Sequence, residues 1–522
     1  MPEESAPKST PNSSPWSHKL KQAAWIGLAL LGSLAAAVVA VPHFVDLAVF
    51  KGTYLPLFEE ALNRSIDVGE VRLGLIPAPS VRLSGLRISE NPSFAESTFF
   101  SARQVQLRVK FLPLLRGRFE ITELILEKPI FNLVRQPDGT FNYADIAGRK
   151  RPVQTRREGA RRVEPAKPVP VLPLIPSRMR IRDGQLNLMT QGKRPVVVRG
   201  IDLFLKEFST RAPFPFRASF DYPGIRTVSL EGELAYQEEK ARLELKNSRF
   251  QVHDLTLPVR GNVTHLFTAP RFQLDLAGDN VDARPVFQVL SVFDLAPRDT
   301  EISGPMDLRI AVSGPSNRLV TQLRGLFKDV KVDGKRALKG RLDGEVSISL
   351  PSGGGPTVRR LQGNGRLVAR DGELTNVDLI NKIQRVTGMI GLSKDQRREA
   401  TTFRTLQAEF VIGGGLAEFT RLYLSNPQLE VSGHGTMTLE QPALNLALDT
   451  KLSQQASTRV GYGRAATVFR DRDGRIVVPL KVTGPIENPA VSLNAEKAAV
   501  TGMPQKIEKG FGSFFKQLFR NH

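Results

Sequence analysis

The sequence predicts a mainly β fold: a long curled antiparallel sheet, an open groove or half-barrel, with a few helices and one transmembrane helix ahead of it. Two observations predict it. An uncharged stretch, Gln22 to Val45, stands near the start of the 522-residue chain, and most of the chain beyond it alternates apolar with polar residues. A third is negative: no cluster of catalytic or metal-binding residue types interrupts the alternation.

Residues 1–21 form a polar tail rich in Pro and Ser, the composition of a disordered segment. Residues 22–45 carry no Asp, Glu, Lys or Arg. A helix of that length reaches about 36 Å, enough for a hydrocarbon core of about 30 Å. Lys19 and Lys21 precede it and Asp46 follows, so the positive-inside rule puts the N-terminus in the cytoplasm and the bulk of the chain outside. Trp25 falls at headgroup level. The competing reading is a cleaved signal peptide, with Ala35, Ala36 and Ala37 as small residues for a peptidase. Apolar character continues through Val38, Val39 and Val41, which favours a retained anchor.

Residues 46–149 open with Leu55, Phe58 and Leu62 at helical spacing, a short amphipathic helix over Tyr54 to Arg64. Alternation then takes over at 81–83 and 105–111, the period-2 pattern of a half-buried strand. Residues 150–176, rich in Pro, Arg and Lys, read as a linker or long loop. The middle region, 177–375, returns to alternation at 243–245, 272–276, 306–310 and 346–350. A last β region, 376–494, alternates at 444–448 and begins with a helix over 376–391, where Leu379, Ile380, Ile383, Val386 and Ile390 share one face behind Asn376 as N-cap.

Asp-Gly steps occur at 138–139, 183–184, 333–334, 343–344, 371–372 and 473–474. Flanked by alternation, each is a hairpin signal, because a type I′ turn needs positive φ at both central residues. Internal echoes accompany them: Val312-Ser313-Gly314-Pro315 with Val482-Thr483-Gly484-Pro485, and Arg182-Asp183-Gly184 with Arg370-Asp371-Gly372. Their spacing is too irregular for a solenoid and suits a sheet that grows by adding hairpins.

Residues 495–522 end in a second amphipathic helix. Ile507, Phe511, Phe514, Phe515, Leu518 and Phe519 share a face, with Lys509, Lys516 and Arg520 off it. That is the pattern of an interfacial helix contacting anionic membrane, and equally of a cap on the open end of a sheet. Gly510 and Gly512 weaken it as an autonomous helix, so it needs a surface to dock on.

Composition narrows the function classes. Cysteine is absent, which excludes disulfides and thiolate chemistry, and the net charge is +21. Such a surplus suits a polyanionic partner. An anchor that exports the bulk of the chain argues against nucleic acid and for anionic lipid or simple solubility. The six histidines lie at 18, 43, 253, 265, 434 and 522, none paired at metal-ligand spacing. No P-loop or Gly-x-Ser-x-Gly elbow is present, and Gly461 to Ala466 lacks the strand and helix of a dinucleotide site. The expectation is no enzyme and no cofactor.

The stretch from Arg64 to Ile146 resembles the N-terminal region of the AsmA family of Gram-negative envelope proteins. Carrying it are the runs 68–77 (VGEVRLGLIP), 81–88 (VRLSGLRI) and 91–94 (NPSF), then Ala102, 112–117 (LPLLRG), 124–129 (LILEKP) and 138–146 (DGTFNYADI). A second stretch, from Arg370 through Phe403, Leu406 and Phe410 to Gly435, resembles the family's C-terminal region; roughly 150–365 matches only in style. Asn63 stands where the family usually has Gly, and Tyr143 where Trp is common. The resemblance implies a single-pass inner-membrane protein, a periplasmic sheet curled into a groove, and a role in outer-membrane lipid or protein homeostasis. Expected partners are phospholipids or an anionic membrane surface, with other envelope proteins as further candidates. The resemblance brings no catalytic residues. The leading expectation is an apolar groove that binds or transfers phospholipid; the alternatives are a scaffold for outer-membrane proteins, pairing client strands at a sheet edge, and an enzyme on an anionic polymer.

Overall fold

The computed structural model describes residues 55–74, 79–91, 97–110, 121–136, 140–147, 176–190, 195–266, 268–334, 338–353, 356–375, 400–459, 469–486, 488–494 and 496–497. The expected anchor at 22–45 with Trp25, nearly all of the linker at 150–176 and the helix at 376–391 lie outside these residues. So do the 461–466 loop and the C-terminal helix with Phe511, Phe514, Phe515, Lys516, Leu518, Phe519 and Arg520. No helix among the described residues is long and apolar enough to cross a membrane. Two compact units divide the chain: Met1–Phe131 with Val153–Arg182, and Asn132–Pro152 with Asp183–His522.

The first unit begins with α1 (Leu55–Leu62), the helix expected from the spacing of Leu55, Phe58 and Leu62. It ends where Asn63 takes φ 55° and the Arg64 N–H donates to Glu59 O at 3.2 Å, a Schellman closure. Asn tolerates this left-handed position next best after Gly, which accounts for the departure at residue 63. Strands β1 (Ile66–Asp67), β2 (Glu70–Gly74), β3 (Ser80–Ser89), β4 (Thr98–Val109) and β5 (Ile121–Arg135) follow. β3 pairs with β1 and β2 on one side and β4 on the other, and β4 pairs with β5, all antiparallel. Val71, Val81, Leu83, Phe100, Ala102 and Val105 form the core, with Leu55 of α1 packed against it.

A buried ion pair and a buried carboxylate with two half-exposed arginines tie this unit together. Arg64 Nη2 meets Glu90 Oε1 at 3.2 Å with both side chains wholly buried, and the guanidinium lies 4.6 Å from the centre of the Phe99 ring. Glu123, also buried on β5, accepts from Arg108 at 2.7 Å and faces Arg180 at 3.8 Å.

The second unit takes the last residues of β5, the short helix α2 (Ala144–Ala147) and the later part of β6 (Arg178–Thr190). Its ladder then runs in chain order through β7 (Val196–Lys206), β8 (Phe214–Tyr222), β9 (Ile225–Gln237), β10 (Arg242–Val252), β11 (Leu255–Thr264) and β12 (Arg271–Asp282). Helix α3 (Ala283–Val292) and the short β13 (Thr300–Ser303) interrupt, and β14 (Pro305–Pro315) pairs back onto β12. β15 (Val320–Gly334) and β16 (Leu338–Pro351) continue, then α4 (Thr357–Arg360), β17 (Gln362–Leu374), β18 (Thr401–Gly413), β19 (Leu416–Ser425), β20 (Leu429–Thr438) and β21 (Ala443–Leu452). After α5 (Gln454–Arg459), the strands β22 (Val477–Pro485) and β23 (Ala490–Leu493) finish it. The ladder is antiparallel from strand to strand, and among the described residues β23 pairs only with β22, so it ends there unclosed.

The Asp-Gly steps divide. Asp473-Gly474 makes a turn, with Gly474 at φ 76°. Asp333-Gly334 closes β15, and 138–139 lie outside the described residues. The steps at 183–184, 343–344 and 371–372 are not hairpin turns: they lie inside β6, β16 and β17. The reason is that a left-handed residue serves a β-bulge as well as a turn. Asp183 (φ 52°) and Asp371 (φ 45°) are such residues, which explains the echoed Arg-Asp-Gly.

Asn247, Asn280 and Asp329 repeat the device in β10, β12 and β15, each where the register slips. At several of these irregular points a neighbouring strand's aspartate accepts from the bent backbone. Asp202 accepts from Asp183 N at 3.2 Å, Asp307 from Asn280 N at 2.9 Å, and Asp343 from Asp329 N at 3.0 Å.

Candidate functional site

Register turns the alternation of single strands into continuous apolar rows. One row passes Val259, Leu276, Ile310, Leu323, Ile348, Gly363, Ile412, Ala417, Met437, Leu444 and Gly484, one residue from each strand in turn. Two residues along, a second row contains Leu308, Gly325, Val346, Gly365, Phe410, Phe419, Gly435, Leu446 and Val482. Gly365 is small because Phe410 lies over it: a Cβ there would fall 2.5 Å from the ring. Between these rows the opposite face carries Arg309, Arg324, Ser347, Asn364, Val411, Glu418 and Thr436 in register, polar but for the exposed Val411. Cross-strand pairs line that face, such as Arg324–Glu345 at 2.9 Å and Arg366–Glu409 at 3.4 Å.

The apolar face is not covered evenly. At one end of the strands, α3 packs on it. Ala283 and Val286 join Ile225, Val252, Leu257, Met306, Leu308, Phe327 and Val330 in one buried cluster. Asp282 starts this helix by accepting from Arg284 N at 3.1 Å and Gly304 N at 3.0 Å. Partial burial alone would raise its carboxyl, but those two backbone donors and the nearby Arg284 charge hold it below the ordinary 3.8. The far strands bury a separate cluster that includes Leu429, Leu452, Ile476, Val478 and Leu480, with Ala456 of α5.

Beside the α3 cluster, against which Leu276, Ile310 and Leu323 pack, the row at Leu276, Ile310, Leu323 and Ile348 is half-buried, as are Ile412, Met437 and Leu444 farther along it. A cavity of about 440 Å³ lies along it, lined by those four residues and Gly363 and also by flanking residues such as Asp275, Arg309, Arg324, Ser347 and Asn364, whose side chains alternate to the other face. That volume falls within the roughly 300–1,000 Å³ of small-molecule sites.

The sheet of this unit also curls. Asn187 of β6 donates to Asn132 of β5 at 2.8 Å, and the ladder then runs strand by strand to β14. Laid flat at about 4.8 Å per strand, β5 and β14 would stand on the order of 38 Å apart. Yet Arg135 at the end of β5 donates from Nη1 to Ser316 O, just past β14, at 2.6 Å. The FNY motif braces this end: fully buried Asn142 accepts from Val134 N at 3.1 Å and donates to Asn132 O at 2.9 Å. Tyr143 stacks on Phe141 at 5.2 Å, so an aromatic ring meets the position where Trp is common.

Sequence reasoning did not single out any residue of this face as a site, and missed α3. The signals were present for the helix, in Asp282 as N-cap with Pro285 in the first turn. The rows had no such signal, because register is not written in any one strand. The membrane-contact residues expected at Trp25 and 511–520 lie outside the described residues. Among the described residues no His, Asp and Glu gather in a metal-holding group.

The sequence model of the AsmA family matches residues 17–272. No curated protein and no solved structure matches the chain.

Proposed function

Because residues 17–272 belong to the AsmA family, with its envelope-related role, we propose that this chain is an inner-membrane-anchored periplasmic protein whose apolar β-face binds or transfers phospholipid. One observation carries the reading: an apolar face whose rows stay half-buried across many strands, with a cavity of about 440 Å³ along Leu276, Ile310, Leu323 and Ile348. Leaving Leu276, Ile310, Leu323 and Ile348 partly wet forgoes about 25 cal/mol per Å², a cost that acyl chains would relieve. The uncharged stretch at 22–45 supplies the tether, and the aromatic face at 511–519 a second membrane contact or a cap.

A fluorescent-acyl phospholipid should bind the full-length chain in mild non-ionic detergent and be displaced by unlabelled phospholipid. Ile310→Asp and Ile348→Asp put a carboxylate into the row and should weaken binding at least tenfold. Equal binding by these variants would contradict the reading. The scaffold alternative needs an edge that templates client strands, and the end of this ladder, β23, offers four residues.

A further inference from the structure

The motif at 138–146 supplies no residue of the apolar rows, yet its described residues bond closely to the end of β5. Gln136 N donates to Thr140 O at 2.9 Å, Asn142 N donates to Val134 O at 3.0 Å, and Arg135 faces Phe141 in an antiparallel bridge. The buried Asn142 side chain adds two bonds, from Val134 N and to Asn132 O. The last residues of β5 are thereby doubled back and tied.

What this brace holds is Arg135. Alternation puts it on the side of β5 that carries Phe131, which packs on an apolar core, and opposite Asn132, whose Oδ1 accepts from Asn187. Its side chain therefore leaves β5 on the apolar side and ends on Ser316 O at 2.6 Å. The acceptor is fixed as well. Ser316 is buried, its N–H donates to Pro270 O at 2.8 Å, and Arg318 N donates to Pro315 O at 2.8 Å in the turn after β14.

β14 has no free edge for β5, because β12 and β15 pair along its two sides. Among the described residues no ladder joins β5 to β14, and the Arg135 side chain makes the crossing. β5 to β12 are eight strands and β14 is the ninth. Drawn together to the reach of one side chain, they approach the bore of a barrel of about eight strands, which side chains fill or one small ligand occupies. The row at Leu276, Ile310, Leu323 and Ile348 starts inside this curl, on β12 and β14, and leaves it along β15 and β16.

Resting on the phospholipid reading, we infer that Arg135, set by the Phe141-Asn142-Tyr143 brace, is the clasp that fixes this bore, so that the face admits a lipid of two acyl chains and excludes one of four. It is a positioning residue that acts through the sheet. A guanidinium suits the task, because a charge-assisted hydrogen bond is roughly twice as strong as a neutral one.

The chain has no cysteine, so Gln136→Cys with Arg318→Cys takes a pair of spin labels without background. On the full-length chain in mild detergent, pulsed electron resonance should give one narrow distance. Adding Arg135→Gln should make it longer and at least twice as broad, while Arg135→Lys, which still donates to a carbonyl, keeps it narrow. The second readout is displacement of a fluorescent-acyl phosphatidylglycerol by unlabelled phosphatidylglycerol or by cardiolipin. These two share headgroup chemistry and carry two and four chains. Wild type should favour phosphatidylglycerol at least fivefold. Arg135→Gln should bring the two lipids within twofold at unchanged affinity for phosphatidylglycerol, which reports an intact face, and Arg135→Lys should retain most of the preference. An unchanged distance in Arg135→Gln overturns the clasp. A widened distance with the preference intact overturns its role in selecting the lipid, and either result leaves the apolar reading standing. If the fluorescent lipid does not bind wild type, the apolar reading falls and the selection with it.

Discussion

Arg64 and Glu90 show how much one pair of residues can carry. Both are removed from water, so their attraction has to offset the desolvation of two charges. Taking away one partner strands the other. Glu90→Gln should destabilise the first unit by about 3–5 kcal/mol, read as a lower urea midpoint; an unchanged midpoint would refute the pairing. Aspartates set a second residue-scale behaviour. A hydrogen bond from Lys328 and the Asn280 N–H hold Asp307 below the ordinary 3.8, and a hydrogen bond from Lys451 does the same for Asp471. A lowered folded value means the charged form is favoured by folding. Their contribution is full above pH 3.8 and is lost as pH falls through the lowered values. Acid unfolding of the second unit should therefore steepen below about pH 4, and Asp307→Asn should flatten that loss in a pH series of denaturation midpoints.

At the scale of elements, single strands were legible and their neighbours were not. Alternation at 272–276, 306–310, 346–350 and 444–448 lies in β12, β14, β16 and β21, because a half-buried strand writes its two faces into its own sequence. Asp371-Gly372 reads as a turn from sequence, since only the partner strand decides whether a left-handed residue reverses the chain or bulges it. Gly372 is held by that partner: a Cβ would lie 2.0 Å from Lys339 O. Gly372→Ala should cost about 1–3 kcal/mol, measured by thermal unfolding. Helix α3 depends on its cap, and Asp282→Ala should cost about 0.5–2 kcal/mol while raising hydrogen exchange across 283–292 before the strands respond. Uniform exchange in that variant would show that the helix has no separate stability.

At the scale of the whole molecule, the family and the sheet were legible because motif order and alternation are local properties repeated many times. The apolar rows were hidden, since they draw one residue from each of many strands and appear only when every register is fixed. Bulges, with their aspartate acceptors, shift those registers, so no strand-by-strand reading could have aligned Ile310 with Leu323 and Ile348. The same geometry gives the second unit's sheet one mostly polar face, one greasy face and a helix-covered end.

An apolar face built for acyl chains should be visible by native mass spectrometry of the gently purified full-length chain. Wild type should carry phospholipid, seen as mass increments of intact lipid, and Ile310→Asp with Ile348→Asp should lose most of it while remaining folded. Wild-type protein free of lipid, or the same lipid load on the folded double variant, would contradict that role for the face.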